Sequence, residues 1–240
     1  MSTKAHKAAF FDVDNTLLDA KSMFSFQSYY LDHWLPTLSP AGSLRSESFA
    51  QFSYRFEQHA KHHDRQALNR MFYGGYAGHS LRSMRKAAVA WFTQLEQRSG
   101  SLWIEPVLKL AEELRGQGYL LVAVSGSSHE ILAPLIERLD FDDCLATRLE
   151  VDGDRLTGCI LAPQMIGVGK GDALRDWALG RSVDLRQSVA CGDHVTDLQM
   201  LECVGRPYVV AGDPLLEQVA AERGWPILRV NATDECVVHA

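Results

Sequence analysis

The stretch Ala8–Leu18, AAFFDVDNTLL, constrains this chain more than any other. An unbroken apolar run stops at two carboxylates, Asp12 and Asp14, followed by Asn15 and Thr16. A short apolar run that ends this way reads as a buried strand of a parallel sheet, and such sheets gather their chemistry at the carboxyl ends of their strands. In extended backbone Asp12 and Asp14 point to the same side, so two anions share one small volume. They repel unless a shared proton or a cation relieves them, and Mg²⁺ is the simplest cation for oxygen ligands. The competing reading is a turn and helix cap, which Asp, Asn and Thr also favour.

The pattern repeats along the chain. Tyr119–Val124 is a second apolar run, giving way to Ser125-Gly126-Ser127-Ser128 before a helical stretch from Glu130 to Arg138. A hydroxyl-rich turn at a helix start can cradle a phosphate or simply cap the helix. Lys170 lies among Gly167, Gly169 and Gly171 in an expected loop, ahead of a helix from Asp172 to about Leu179. A lysine there can approach an anion closely or sit on the surface, and the spacing is not that of a Walker loop. Ser188–Cys191 is another strand, emptying into Gly192-Asp193-His194-Val195-Thr196-Asp197 and a helix from Leu198 to Cys203. Leu145–Val151 and Arg155–Gly158 alternate about Asp152-Gly153-Asp154 as a hairpin does. Tyr208–Val210 and Ile227–Val230, separated by an amphipathic helix over Pro214–Arg223, complete a β/α alternation, and residues 231–240 carry no pattern. A mostly parallel, Rossmann-like α/β sheet with its first strand central would bring Asp12, Asp14, Ser125, Lys170, Asp193 and Asp197 to one edge.

Between the first two strands the spacing is helical. Met23–Tyr30 and Phe49–Phe56 place aromatic rings three and four residues apart. Pro36, Pro40, Gly42, Gly74, Gly75 and Gly78 break the pattern, and Ser99-Gly100 closes it. The division expected is a core of residues 1–19 and 103–240 with an inserted helical domain of residues 20–102.

Composition narrows the function classes. The 240 residues are 46% hydrophobic, enough for one substantial core and a smaller second one. A formal charge of −6 offers no electrostatic footprint for nucleic acid. Cys144, Cys159, Cys191, Cys203 and Cys236 are odd in number and never spaced C-x-x-C, so they read as small core residues in a reducing compartment. No stretch has the length of a membrane span and no leader follows the basic start, which points to the cytoplasm; oligomeric state is not legible. No Gly-x-Gly-x-x-Gly follows the first strand, against a dinucleotide-binding module.

Asp12-Val13-Asp14-Asn15-Thr16, the Ser125-Gly126 turn, Lys170 and Gly192-Asp193-x-x-x-Asp197 resemble the four ordered motifs of the haloacid dehalogenase superfamily, in its phosphatase branch, over about Ala8 to Leu228. The likeness is closest to the phosphoserine phosphatase-like subfamily IB, with a C1-type helical cap between the first two motifs. Thr147–Val151 with Leu156–Gly158, and Gly224-Trp225-Pro226, are similar to that group. The resemblance implies a Mg²⁺-dependent phosphomonoesterase working through an aspartyl-phosphate. Asp12 would be the nucleophile and Asp14 the general acid and then base; Thr16 would position Asp14 or the phosphoryl group. Ser125 and the Gly126 amide would hold phosphoryl oxygens while Lys170 neutralises charge. Asp12, the Asp14 carbonyl and Asp193 would ligate the metal, with Asp197 orienting Lys170 or a metal-bound water. Dehalogenase members lack a second carboxylate in the first motif, so Asp14 favours phosphoryl transfer. The alternatives are a phosphotransferase with the same intermediate and a non-catalytic Rossmann-like binding module.

For the substrate, phosphoserine phosphatases carry a glutamate nine residues after the nucleophile, where this chain has Lys21. A cation facing the leaving group disfavours phosphoserine; the other reading is a solvated surface lysine. Arg70, Tyr73, Arg82 and Arg85 are further candidates from the helical insertion, whereas Met71, Phe72, Trp91 and Phe92 have the spacing of its core. His59, His62 and His63 read as a solvated face, and His194 as a rim residue beside Asp193. A small metabolite phosphate is expected, with histidinol phosphate, another biosynthetic intermediate and a lysophospholipid-like headgroup open.

Overall fold

The computed structural model describes residues 6–38, 47–98, 102–229 and 238–239. Strand β1 (Ala8–Phe11) is followed by a helical insertion: α1 (Ser22–Tyr29), which passes through a wider turn, Tyr30–Trp34, into α2 (Leu35–Leu38), then α3 (Phe49–Ala60), α4 (Arg65–Gly74) and α5 (Leu81–Arg98). The chain then alternates α6 (Glu105–Gly116), β2 (Leu120–Ser128), α7 (His129–Leu139), β3 (Asp143–Asp152), β4 (Arg155–Leu161), α8 (Val168–Gly180) and β5 (Val189–Gly192). It closes with α9 (Leu198–Leu201), β6 (Arg206–Val210), α10 (Pro214–Arg223), β7 (Ile227–Leu228) and β8 (Val238–His239).

The strands form one sheet in the order β4-β3-β2-β1-β5-β6-β7-β8, parallel except where β4 and β8 join. Strand β1 is central, with Phe10 level with Val122 on β2 and Ala190 on β5. All four of its residues are fully buried because both faces are covered. Ala9 and Phe11 face one core, shared with Val107, Ala111, Leu114 and Ile131 of α6 and α7. Ala8 and Phe10 face the other, with Leu174, Trp177, Met200 and Leu216 of α8, α9 and α10. Phe10 meets Trp177 edge to face at 5.5 Å.

The insertion leaves and rejoins the core at adjacent points. Asp19 donates its N–H to Leu102 (2.9 Å), and Ile104 donates to Leu17 (3.0 Å). Its helices begin on caps: the Ser48 and Gln51 side chains form a capping box on α3, and Asp64 accepts from Ala67 N at 2.7 Å on α4. A cluster of rings holds α1, α3 and α4 together, with Phe72 meeting Phe24, Phe52 and Phe56 within 6.4 Å. Phe72, Trp91 and Phe92 are core residues, as their spacing predicts, and Met71 is half-buried.

Several expectations differ. Ser125–Ser128 is not a free turn: it continues β2, with a register shift against β3. Lys170 lies in the first turn of α8 rather than in a loop. Its glycine neighbours serve close packing, since a Cβ at Gly169 would fall 1.8 Å from the Gln164 carbonyl oxygen. Pro36 sits within α2 and does not end it. Strand β8 was not legible, and Cys159 is exposed on β4 while Cys191 is buried. Pro40, Gly42, Ser99, Gly100 and Cys236 lie outside the described residues. Among the described residues, no helix is long and apolar enough to cross a membrane.

Truncating Phe72 to alanine leaves a void at the centre of the ring cluster. Chemical denaturation of Phe72→Ala is expected to show a loss of about 3–5 kcal/mol; a loss below about 1 kcal/mol would mean the cluster does not hold the insertion together.

Candidate active site

The site begins where β1 ends. Asp12 donates its N–H to the Cys191 carbonyl on β5 (2.9 Å), which fixes its backbone across the central seam. Asn15 takes the left-handed conformation, φ 63°, one that asparagine tolerates better than most residues. The chain folds back there, with Leu17 and Leu18 donating to the Val13 carbonyl. Asp14 Oδ1 accepts from Ser22 N at the start of α1 (3.0 Å). Cap and site readings therefore coincide on one carboxylate, which holds the first helix of the insertion and faces the cavity.

Lys170 joins the three segments. Its Nζ lies 2.5 Å from Asp12 Oδ1 and 2.6 Å from Asp197 Oδ1, and all three residues are buried. Burial works against the lysine charge, but the two carboxylates outweigh it and raise its pKa above the ordinary value. Asp12 is pushed well above the usual carboxylate range, first by burial and then by Asp197, Asp193 and Asp14, with Lys170 pulling the other way. Burial also raises Asp14, against the hydrogen bonds from Ser22. The second Asp197 oxygen accepts from His194 N at 3.3 Å. Gly192 leaves no room for a side chain, since a Cβ there would lie 2.8 Å from the Asp197 carboxylate.

Asp193 is 8% exposed. Its Oδ1 lies 3.5 Å from the Thr16 hydroxyl, so of the two partners expected for Thr16, Asp14 or the phosphoryl group, Asp14 is not the one it meets, the Ser22 amide having taken that carboxylate. Its Oδ2 lies 3.9 Å from Lys21 Nζ. Asp12, Asp193 and Asp197 each offer an oxygen within 4.8 Å of the others. Four carboxylates here face one buried lysine and the part-exposed Lys21, leaving excess negative charge among hard oxygen donors. That donor set fits a small divalent cation such as Mg²⁺.

Ser125 and Gly126 complete the floor of a cavity of about 160 Å³. Its walls are apolar where Phe24, Phe56, Leu68, Met165 and Ile166 enter, and Lys21, Arg65 and His194 line it as well. Lys21 thus stands at the site while 43% of its side chain remains in solvent. Burial lowers the pKa of His194, and Arg65 adds to the effect.

The other candidates are turned elsewhere. Arg70 does not line the cavity; its guanidinium donates to Gln164 Oε1 at 2.7 Å. Arg85 pairs with Glu130 at 3.3 Å, and Arg82 lies with Arg85 by a separate surface depression. Tyr73 is buried behind the floor, where its hydroxyl donates to the Gly126 carbonyl. His59 is half-buried in the last turn of α3, and His62 and His63 are exposed just beyond it; none of the three lines the cavity. Sequence reasoning missed Arg65, Leu68 and Asn69, which form one face of α4 pointing into the site. Their i, i+3, i+4 spacing after the cap Asp64 carries that signal, and it puts Arg70 on the next face round.

The geometry has counterparts in known proteins. A family model described as haloacid dehalogenase-like hydrolase matches residues 9–202. A probable phosphatase of Mycobacterium tuberculosis is 31% identical over 226 residues, covering 94% of this chain and 76% of that protein. A phosphoserine phosphatase of the same organism is 25% identical over 221 residues, covering 92% of this chain and 70% of that one. Among solved structures, a Bordetella pertussis protein of unknown function matches with a TM-score of 0.75 at 23% identity, over 93% of this chain and 98% of that chain, a likeness of fold.

Removing the central cation has a pH signature. Lys170→Met strands Asp12 and Asp197 in the interior, with an expected cost of about 3–5 kcal/mol near neutral pH. Without the lysine, the folded-state pKa of Asp12 rises further above its unfolded value. The cost relative to the parent is then full above the variant's folded Asp12 pKa and shrinks as pH falls from there toward the parent's own, already raised, Asp12 pKa. Denaturation of variant and parent between pH 8 and pH 5 checks this; a deficit that grows on acidification would contradict it.

Proposed function

This chain belongs to the haloacid dehalogenase-like hydrolases, and from that premise we propose that it is a Mg²⁺-dependent phosphomonoesterase acting through an aspartyl-phosphate. The observation that carries the reading is Lys170, buried and bonded at once to Asp12 and Asp197, in a cavity that Asp14 and Asp193 also line. The proposal includes the domain division: residues 20–102 as a cap, and residues 1–19 and 103–240 as the core. Cavity walls contributed by both parts support it.

In the first step an Asp12 carboxylate oxygen attacks phosphorus as the bond to the alcohol oxygen breaks. Asp14, whose raised pKa favours its acid form, delivers its proton to the departing alkoxide. In the second, water attacks the phosphorus, the Asp14 carboxylate takes its proton, and the bond to Asp12 breaks to release inorganic phosphate. Lys170, the Ser125 hydroxyl and the Gly126 amide stabilise charge on the phosphoryl oxygens and on Asp12. Asp12, Asp193 and the Asp14 carbonyl would hold Mg²⁺, which supplies further neutralisation of phosphoryl charge; Asp197, committed to Lys170, positions that lysine.

The leaving alcohol meets Lys21 and Arg65. Among the described residues, no acidic side chain lines the cavity apart from the four at the reaction centre. Two cations and an apolar wall favour a small neutral or anionic alcohol and disfavour phosphoserine. The same cations weigh against histidinol phosphate, whose alcohol carries an ammonium group.

The test is turnover of a broad panel of phosphate monoesters by the purified protein, with Mg²⁺ or with chelator. Turnover is expected only with the metal and is expected to fall about 10³-fold or more in Asp12→Asn. Lys21→Glu is expected to move preference about tenfold or more toward ammonium-bearing esters. Hydrolysis that survives chelation or Asp12→Asn would overturn the mechanism, and a panel with no substrate would overturn the activity.

A further inference from the structure

The carbonyl of Gly126 receives donors from two parts of the fold. Thr147 Oγ1 on β3 lies at 2.8 Å, Asn69 Nδ2 on α4 at 3.1 Å and the Tyr73 hydroxyl on α4 at 3.3 Å. Asn69, Tyr73 and Thr147 are all buried, and burial holds the Tyr73 hydroxyl in its protonated, donating form. A carbonyl bonded on its oxygen polarises the N–H of the same peptide group. Here that N–H belongs to Ser127, and it donates to Ser125 Oγ at 3.1 Å. The hydroxyl is an acceptor in that bond, which leaves its own proton to be donated into the cavity Ser125 lines.

The chain of donors continues outward. Asn69 Oδ1 accepts from Gln164 Nε2 at 3.1 Å, and Gln164 Oε1 accepts from Arg70 Nη1 at 2.7 Å. A guanidinium can only donate, so Arg70 determines which end of the Gln164 amide faces it. Gln164 then determines the orientation of Asn69, whose NH₂ must face Gly126. Gln164 also donates to the Gln66 carbonyl at 2.8 Å, which ties it to α4 by a second bond.

We propose that Asn69, with Gln164 and Arg70 behind it, is a positioning residue: the directed chain Arg70→Gln164→Asn69→Gly126 peptide→Ser125 sets the Ser125 hydroxyl to donate to a phosphoryl group. The inference rests on the phosphomonoesterase reading of the site. It gives the insertion a role in the chemistry as well as in selection, because Asn69 and Arg70 belong to α4 and Ser125 to the sheet.

The experiment combines kinetics with the amide spectrum of ¹⁵N-labelled protein. Arg70→Met lies at an exposed position outside the cavity and removes the head of the chain; Asn69→Leu removes its centre. Both are expected to lower kcat, by about tenfold for Asn69→Leu, with little change in KM. Arg70→Lys, which restores a donor, is expected to recover part of the loss. In a Ser125→Ala background, Asn69→Leu is expected to cost nothing further, because the chain ends at the missing hydroxyl. The Ser127 amide proton is expected to move upfield in Asn69→Leu and in Arg70→Met. An unmoved Ser127 amide overturns the inference whatever the enzyme hydrolyses, and so do additive losses in the double variant. A parent protein that hydrolyses no ester overturns the phosphatase reading instead, with the Ser127 amide still judging the chain of donors.

Discussion

One ammonium group between two carboxylates sets the terms for the rest of this structure. Lys170 comes from the first turn of α8, Asp12 from the end of β1 and Asp197 from the turn after β5, so three segments meet within hydrogen-bond distance at the sheet edge. None of the three groups could be buried alone without a large desolvation cost. Their mutual compensation lets the Asp12 carboxylate sit out of water. It also accounts for the crowding around them: Gly169 and Gly192 admit no Cβ because the backbone and the Asp197 side chain already occupy that space.

The sheet makes this meeting possible. Placing β1 between β2 and β5 brings Asp12, Ser125 and Asp193 to neighbouring strand ends, with each strand buried on both faces so that its polar residues gather at its end. The insertion then roofs what the strands supply. It contributes apolar surface through Phe24, Phe56 and Leu68 and positive charge through Lys21 and Arg65. The carboxylate cluster and this apolar, cationic roof thus come from separate parts of the chain that share one small volume.

What the sequence disclosed follows the same division. Strand ends were legible because a strand buried on both faces keeps its polar side chains for its last residues, so the apolar runs stop sharply at Asp12, Ser125 and Asp193. The helical nature of Lys170 was hidden because Gly167, Gly169 and Gly171 imitate a loop, and only the approach of the Gln164 carbonyl shows why glycine is needed. Arg70 drew attention as a cation, yet its charge is spent on Gln164, while Arg65 faces the cavity. That difference is one of helix phase, which follows from where α4 begins. The meeting of donors on the Gly126 carbonyl left no trace in the sequence, since Asn69 and Tyr73, one helical turn apart on α4, join Thr147 of β3 only in three dimensions.

The insertion enters and leaves the core side by side, with Asp19 bonded to Leu102 and Ile104 to Leu17. A segment whose two ends are already in register can be exchanged as a cassette, because the sheet does not need to move to accommodate a different roof. One hydrolytic core could therefore carry a series of grafted caps, each bringing its own pocket walls. The role proposed for Asn69 adds a design rule for such grafts: beyond fitting the two junctions, a new cap must present a donor where Asn69 meets the Gly126 carbonyl.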